Sequence, residues 1–208
     1  MNLLERRSAL AGLAAHAHLK PGTMPGPHAA EKPAVSISER RPLSILQISA
    51  FAATIDAAAV RLGAHVGLPM PQPNRLAGDN DRNVRAIGPG IWQWVGAPGT
   101  IPDAATLRAS LAGVATVVDL SHARTALRIQ GPAAARTLAK HCGLDLDTRK
   151  FPEGSATNTR FGLLGATLAR LAPVNGMPVF ELLVFRGYAE FVFEALVESA
   201  SEFGAAIG

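Results

Sequence analysis

Asp119, Ser121 and His122 stand within four residues of one another. These are the residue types of a hydrolytic nucleophile, its general base and the carboxylate that orients the base. Such triads are assembled in space, whereas neighbours along a strand point to opposite faces. Ser121 also lacks the Gly-x-Ser-x-Gly elbow that lifts a nucleophile clear of a sheet. The cluster reads better as a strand end, with Asp119 and Ser121 bonding turn backbone and Arg124 as a salt-bridge partner. No catalytic residue is assigned from it.

The other reactive types are dispersed. His16 and His18 have no carboxylate or cysteine at ligand spacing, His65 falls near the end of an expected helix, and His28, His122 and His141 stand apart. No metal ligand set is assigned. Gly88-Pro89-Gly90 and Gly96-Ala97-Pro98-Gly99 fit turns. Neither is a Gly-x-Gly-x-x-Gly between strand and helix, and no Gly-Lys-Ser/Thr phosphate loop occurs, so no cofactor-binding residue is assigned either. Cys142 falls on the apolar face of a helix beside Leu138 and reads as a buried structural thiol; alone it forms no disulfide framework. Glu190, Glu194, Glu198 and Glu202 recur every four residues, an acidic stripe that is either a solvated face or a docking face for a basic partner, since no Lys or Arg follows Arg186.

The elements that hold these residues belong to a chain of 208 residues, 48% hydrophobic and only 17% charged. That is long enough for one large domain or two small subdomains, and too little charged for a disordered one. A subunit with much of its surface covered has this composition. Sixteen of the 20 basic residues are arginine, scattered along the chain with Arg6-Arg7 and Arg40-Arg41 the only adjacent arginines. Nucleic-acid binders concentrate basic residues on one face and interleave aromatics, so arginine is read here as an interface residue. No run approaches the roughly 18–20 apolar residues of a membrane span, and Glu5 with a short Ala/Leu run argues against a leader. The expected compartment is the cytoplasm, with no membrane and no nucleic acid.

Residues 1–19 are read as an N-terminal docking arm. Residues 20–41, rich in Pro and Gly, are read as a linker unable to sustain a central strand. The body, 42–208, opens with a strand from Pro42 and a helix over 52–66, ended by Gly67 and Pro69. A loop over 69–81 leads to strands 82–87 and 91–95. A helix opens at Pro102-Asp103, followed by strands 115–120 and 125–130 and a helix from Gly131-Pro132 to Gly143. Strands over 155–171 and 178–185 and a helix over 187–203 complete it. Two successive split strand-helix-strand motifs predict an α+β fold with two ferredoxin-like halves and mostly antiparallel sheet.

Taken in order, several segments resemble the gamma subunit of heterotetrameric sarcosine oxidase. They are Arg7-Ser8-Ala9-Leu10, Leu46-Gln47-Ile48, Gly88-Pro89-Gly90-Ile91-Trp92-Gln93-Trp94-Val95, Val118 to Thr125, Leu127 to Ala134, Phe151-Pro152-Glu153-Gly154 and Arg186-Gly187-Tyr188-Ala189. Gln93 departs from the family, which usually has an aliphatic residue there. The resemblance implies a fold similar to the folate-binding domain of aminomethyltransferase and a structural, non-catalytic role. It also implies alpha, beta and delta partner subunits carrying NAD, FAD, FMN and zinc, with no cofactor on this chain. The implied reaction of the complex is oxidative demethylation of sarcosine to glycine, with peroxide formed and the one-carbon unit passed to tetrahydrofolate. Two alternatives stay open: the same subunit in a complex that oxidises N-methylglutamate or a cyclic amino acid, and a free-standing folate-dependent aminomethyltransferase, for which Asp119 is the central candidate carboxylate.

Overall fold

The computed structural model describes residues 7–15, 21–26 and 32–208; His16, His18 and His28, with the adjoining parts of the expected arm and linker, lie outside the described residues. The strands are β1 (Gly22–Met24), β2 (Val35–Arg40), β3 (Ser44–Ala50), β4 (Leu76–Gly78), β5 (Asn83–Gly88), β6 (Ile91–Gly96), β7 (Ala115–Asp119), β8 (Arg124–Gln130), β9 (Ala156–Phe161), β10 (Leu164–Val174), β11 (Met177–Phe185) and β12 (Ala205–Ile207). The helices are α1 (Ile55–Val66), α2 (Ala104–Ser110), α3 (Ala134–Ala139) and α4 (Ala189–Ala200).

Helix ends follow local chemistry. The α1 helix buries Ala58, Leu62 and Val66 along one stripe and stops at Gly67, whose left-handed backbone lets its N–H reach the Gly63 carbonyl. Asp103 caps α2, its carboxylate accepting from the backbone N–H of Ala105 and Thr106, each at 2.9 Å.

A five-stranded sheet runs β4-β5-β6-β3-β7, and a seven-stranded sheet runs β1-β12-β2-β8-β11-β10-β9. In the first, the units β3-α1-β5 and β6-α2-β7 interleave as the ferredoxin-like order requires. The second repeats the pattern with β8, α3, β10, β11, α4 and β12, except that β2 stands between β8 and β12, so the closing strand pairs with β2 and not with β8. All pairings are antiparallel except β12 with β2. The expected α+β fold with mostly antiparallel sheet is the fold observed.

The stretch expected to be linker departs from that reading. Val35–Arg40 forms β2, an interior strand between β12 and β8. Pro33 and Pro42 bracket the strand and do not interrupt it, and Val35 and Ile37 alternate inward with exposed Ser36 between them. Two more departures are β1, which pairs with β12 from within the same expected linker, and the short β4 inside the expected 69–81 loop.

Each sheet presents one face to helices. Val84, Trp92 and Trp94 pack with Leu62 and Leu107 on the first sheet. Leu127, Ile129, Phe180 and Leu182 pack with Val192, Phe193 and Leu196 on the second. The other two faces meet at a seam where Ile45 and Val95 of the first sheet touch Ala126 and Leu183 of the second. The layers are therefore helix, sheet, sheet, helix. In the described part of the arm, a turn of 3-10 helix, Ala11–Ala15, lies on the chain's own body. Leu13 enters the core of the larger sheet. The Ser8 hydroxyl and the Ala9 N–H donate to the Glu39 carboxylate, and the Gly12 N–H donates to Glu190 at 3.1 Å.

Candidate functional site at the seam between the sheets

Apolar contacts fill only part of the seam. Along one cross-strand row of the smaller sheet stand Leu76, Arg85, Gln93, Gln47 and Val118. Facing them, one row of the larger sheet holds Ser38, Arg128, Glu181 and Ala169, and the next holds Arg40, Ala126, Leu183, Thr167 and Asn158. Two polar constellations result.

The first is ionic. Glu181, wholly buried, receives Arg85 from the opposite sheet, Arg128 Nε at 3.1 Å and Arg40 Nη1 at 3.2 Å. Asn83 Oδ1 accepts from Arg85 Nε at 2.8 Å and holds that guanidinium in line. Burial alone raises the pKa of the Glu181 carboxyl, but the three guanidiniums outweigh it and hold it below the usual carboxylate range. Burial lowers Arg85 from its ordinary value against the pull of Glu181, and it stays protonated. The turn over 79–82 closes the cluster, with the Asn80 and Asp81 carbonyls accepting from Arg128 and Arg40. Its own shape is set by Asp79, whose carboxylate accepts the backbone N–H of Asp81 and Arg82, each at 2.7 Å, and is thereby held below its ordinary pKa.

The second constellation lines a cavity of about 260 Å³ whose wall includes Gln47, Gln93, Arg124, Asn158, Thr167 and Phe185. Gln93 is 2% exposed; its Nε2 donates to Gln47 Oε1 at a long 3.5 Å, and its Oε1 is buried without a hydrogen-bond partner. The Thr167 hydroxyl donates to Asn158 Oδ1 at 2.9 Å, and Asn158 Nδ2 donates to the Ile87 carbonyl at 3.3 Å. The Arg124 guanidinium lies over the Phe185 ring, 3.5 Å from its centroid. No Asp or Glu stands among the residues lining this cavity. Amides and hydroxyls recognise a polar molecule or order water; they do not hold the titratable proton that general acid–base chemistry moves.

The residues singled out in the sequence lie elsewhere. Asp119 accepts the Ser121 backbone N–H at 2.8 Å, Ser121 Oγ accepts the Ile45 N–H at 2.9 Å, and His122 is exposed on the turn. Asp119 and Ser121 bind backbone, and the three residues assemble no triad. His65 is exposed in the last turn of α1, and His141 stacks on Phe161 with Nε2 at 2.8 Å from Ser199 Oγ. Among the described residues no three His, Cys, Asp or Glu side chains gather as a metal site. Cys142 is buried, its sulfur 3.5 Å from the Thr159 hydroxyl. The acidic stripe is partly used internally: Glu190 holds Gly12, and Glu202 pairs with Lys140 at 2.7 Å. Three of the scattered arginines, read as interface residues, turn inward to Glu181 instead. The signal for that cluster was present, since Glu181 interrupts the apolar run Val179 to Val184, and a charge inside a buried strand must find partners.

Two ferredoxin-like units packed sheet to sheet, with a polar seam between them, define an aminomethyltransferase-like fold. The solved glycine cleavage system aminomethyltransferase T from Bartonella henselae superposes with a TM-score of 0.59 at 16% identity, covering 92% of this chain and 50% of that one. The chain belongs to the GCVT N-terminal domain family, whose model matches residues 90–208. It is similar to sarcosine oxidase subunit gamma from Corynebacterium sp. (strain U-96), 34% identical over 90 residues, which span 43% of this chain and 42% of that relative. It also resembles a chain of the heterotetrameric sarcosine oxidase from Corynebacterium sp. U-96, solved in complex with pyrrole 2-carboxylate. The TM-score there is 0.76 at 27% identity, over 95% of this chain and 96% of that one. The likeness to the gamma subunit read from the sequence therefore holds, with the aminomethyltransferase-like fold it implied.

Proposed function

We propose that this chain is a non-catalytic, structural gamma-type subunit of a heterotetrameric, flavin-dependent sarcosine oxidase. In such a complex the oxidative demethylation of sarcosine to glycine takes place on partner subunits of alpha, beta and delta type. Those partners carry FAD, FMN, NAD and zinc, and tetrahydrofolate accepts the one-carbon unit. The observation that carries the reading is the full-length likeness to a chain of the Corynebacterium complex, which covers 95% of this chain and 96% of its counterpart. The seam adds support, because the polar groups lining its cavity are amides, hydroxyls and the Arg124 guanidinium, and its one buried carboxylate, Glu181, is neutralised by arginines. A free-standing aminomethyltransferase would need a carboxylate poised over its ligand, and Asp119 is engaged with turn backbone. Among the described residues no helix is long and apolar enough to cross a membrane, in keeping with a cytoplasmic complex.

Expression of this chain alone and together with the open reading frames that neighbour its gene tests the reading. The chain alone is expected to be colourless, and the co-expressed chain to purify with large, yellow, sarcosine-oxidising partners. A flavin bound to the chain alone, or aminomethyl transfer by it without partners, would overturn the proposal.

A further inference from the structure

A second cavity, of about 290 Å³, opens where β2 and β8 meet the turn into β3. Its wall carries four arginines, Arg7, Arg40, Arg41 and Arg124, against one carboxylate, Glu39. Glu39 already accepts from Ser8 and Ala9 of the arm, and Arg40 is committed to Glu181. Among the described residues no carboxylate lies within ion-pair distance of Arg7 or Arg41. On the inner wall Thr125 is 3% exposed, and its Oγ1 is buried without a hydrogen-bond partner. Arg7 and Arg41 are exposed to solvent and so open to a ligand. Guanidiniums bordering one cavity raise a positive potential there, and a buried hydroxyl with nothing to bond is the exception in folded proteins.

We propose that this cavity binds a small oxyanion, a carboxylate or phosphate compound of few heavy atoms, through the guanidiniums of Arg7 and Arg41 and the hydroxyl of Thr125. Guanidinium forks match both oxyanions in geometry, and charge-assisted bonds of this kind are the strong ones. The volume lies just under the roughly 300–1,000 Å³ of drug-sized pockets, so the ligand is a small metabolite or inorganic ion. Glu39 and the arm form one wall, which makes the site a property of the folded N-terminal segment as well as of the sheet.

Isothermal titration of the full chain with inorganic phosphate and, separately, with succinate distinguishes the two chemistries. One-site, saturable binding of either is expected, weakened about tenfold or more by Arg41→Ala and several-fold by Thr125→Val. Arg149→Ala, which removes an exposed arginine paired with Asp147 outside the cavity lining, is expected to leave it unchanged. Thr125→Val is nearly isosteric, so the hydroxyl is removed without emptying space, and melting curves confirm that each variant is folded. Absence of saturable binding of both anions overturns the proposal, as does equal weakening by Arg41→Ala and Arg149→Ala, the signature of general surface charge. The assay reads binding by this chain alone, so its outcome is separate from that of the co-expression experiment.

Discussion

Arg85 on β5 and Glu181 on β11 form an ion pair across the seam, each side chain wholly withdrawn from solvent, so that one carboxylate fastens the smaller sheet to the larger. Glu181→Gln keeps the shape and removes the charge, leaving Arg85 buried without a counterion. Breaking a buried pair in this way costs about 3–5 kcal/mol. Urea unfolding is expected to show that loss as a lower midpoint. A change no larger than that of the exposed Arg149–Asp147 pair would show that the cluster does not hold the halves together.

The same carboxylate sets a pH dependence. Because Glu181 titrates below its ordinary value in the folded chain, the unfolded chain takes up its proton first. Its contribution is complete above the unfolded carboxylate pKa of about 4.3 and is lost as pH falls through the lower folded value. Asp79 is shifted in the same direction by its backbone N–H donors and adds to the slope. Stability is thus expected to fall on acidification below about pH 4, more steeply in the parent than in Glu181→Gln. Parallel curves for the two proteins would remove Glu181 as the cause.

Gln93 presents the opposite case. Its Oε1 is buried and unpartnered, and its one side-chain bond, to Gln47, is long. Removing an unsatisfied buried acceptor relieves a desolvation cost of about 1–3 kcal/mol. Gln93→Leu, the aliphatic choice, is expected to raise the melting temperature. A lower melting temperature would mean that the amide binds an ordered water or ligand in the seam cavity.

Gly131 marks where β2 enters the sheet. Its φ is +126°, and a Cβ placed there would sit 2.3 Å from the Ala34 carbonyl oxygen. Gly131→Ala must therefore push backbone against backbone, with an expected loss of more than about 2 kcal/mol. Gly99 supplies the comparison, with φ of +84° and open space for 4 Å around the place a Cβ would take. Gly99→Ala is expected to cost about 1–2 kcal/mol from backbone strain alone. Equal costs in chemical denaturation would show that the close approach at Gly131 is readily relaxed.

The two ferredoxin-like halves are legible because strands such as Ile45 to Ile48 and Leu127 to Ile129 are short, mostly apolar stretches beside helices, the first of which stops at Gly67 as its sequence indicates. The α3 helix instead ends at Ala139, short of the expected Gly143, and leaves Cys142 outside the helix. The strand β2 is not legible, because the prolines clustered from Pro21 to Pro33 obscure the six residues Val35–Arg40, whose own alternation is that of a strand. The strand β12 carries only Ala205, Ala206 and Ile207, a composition with no strand signature, and it forms because β2 offers it an edge. Asp119, Ser121 and His122 are close only in sequence, while the buried charged group joins β2, β5, β8 and β11 across the fold. Only the burial of strands brings such residues together, and single-strand periodicity does not reveal their partners.

The parallel pairing of β12 with β2 has a consequence for biosynthesis. While the chain is still emerging from the ribosome, β2 can join β8, but its outer edge stays open until residues 205–207 have been made. An open interior-type edge invites pairing with another nascent chain. The interval of greatest risk is therefore the one before residues 205–207 dock on β2, when that edge is open to a wrong partner.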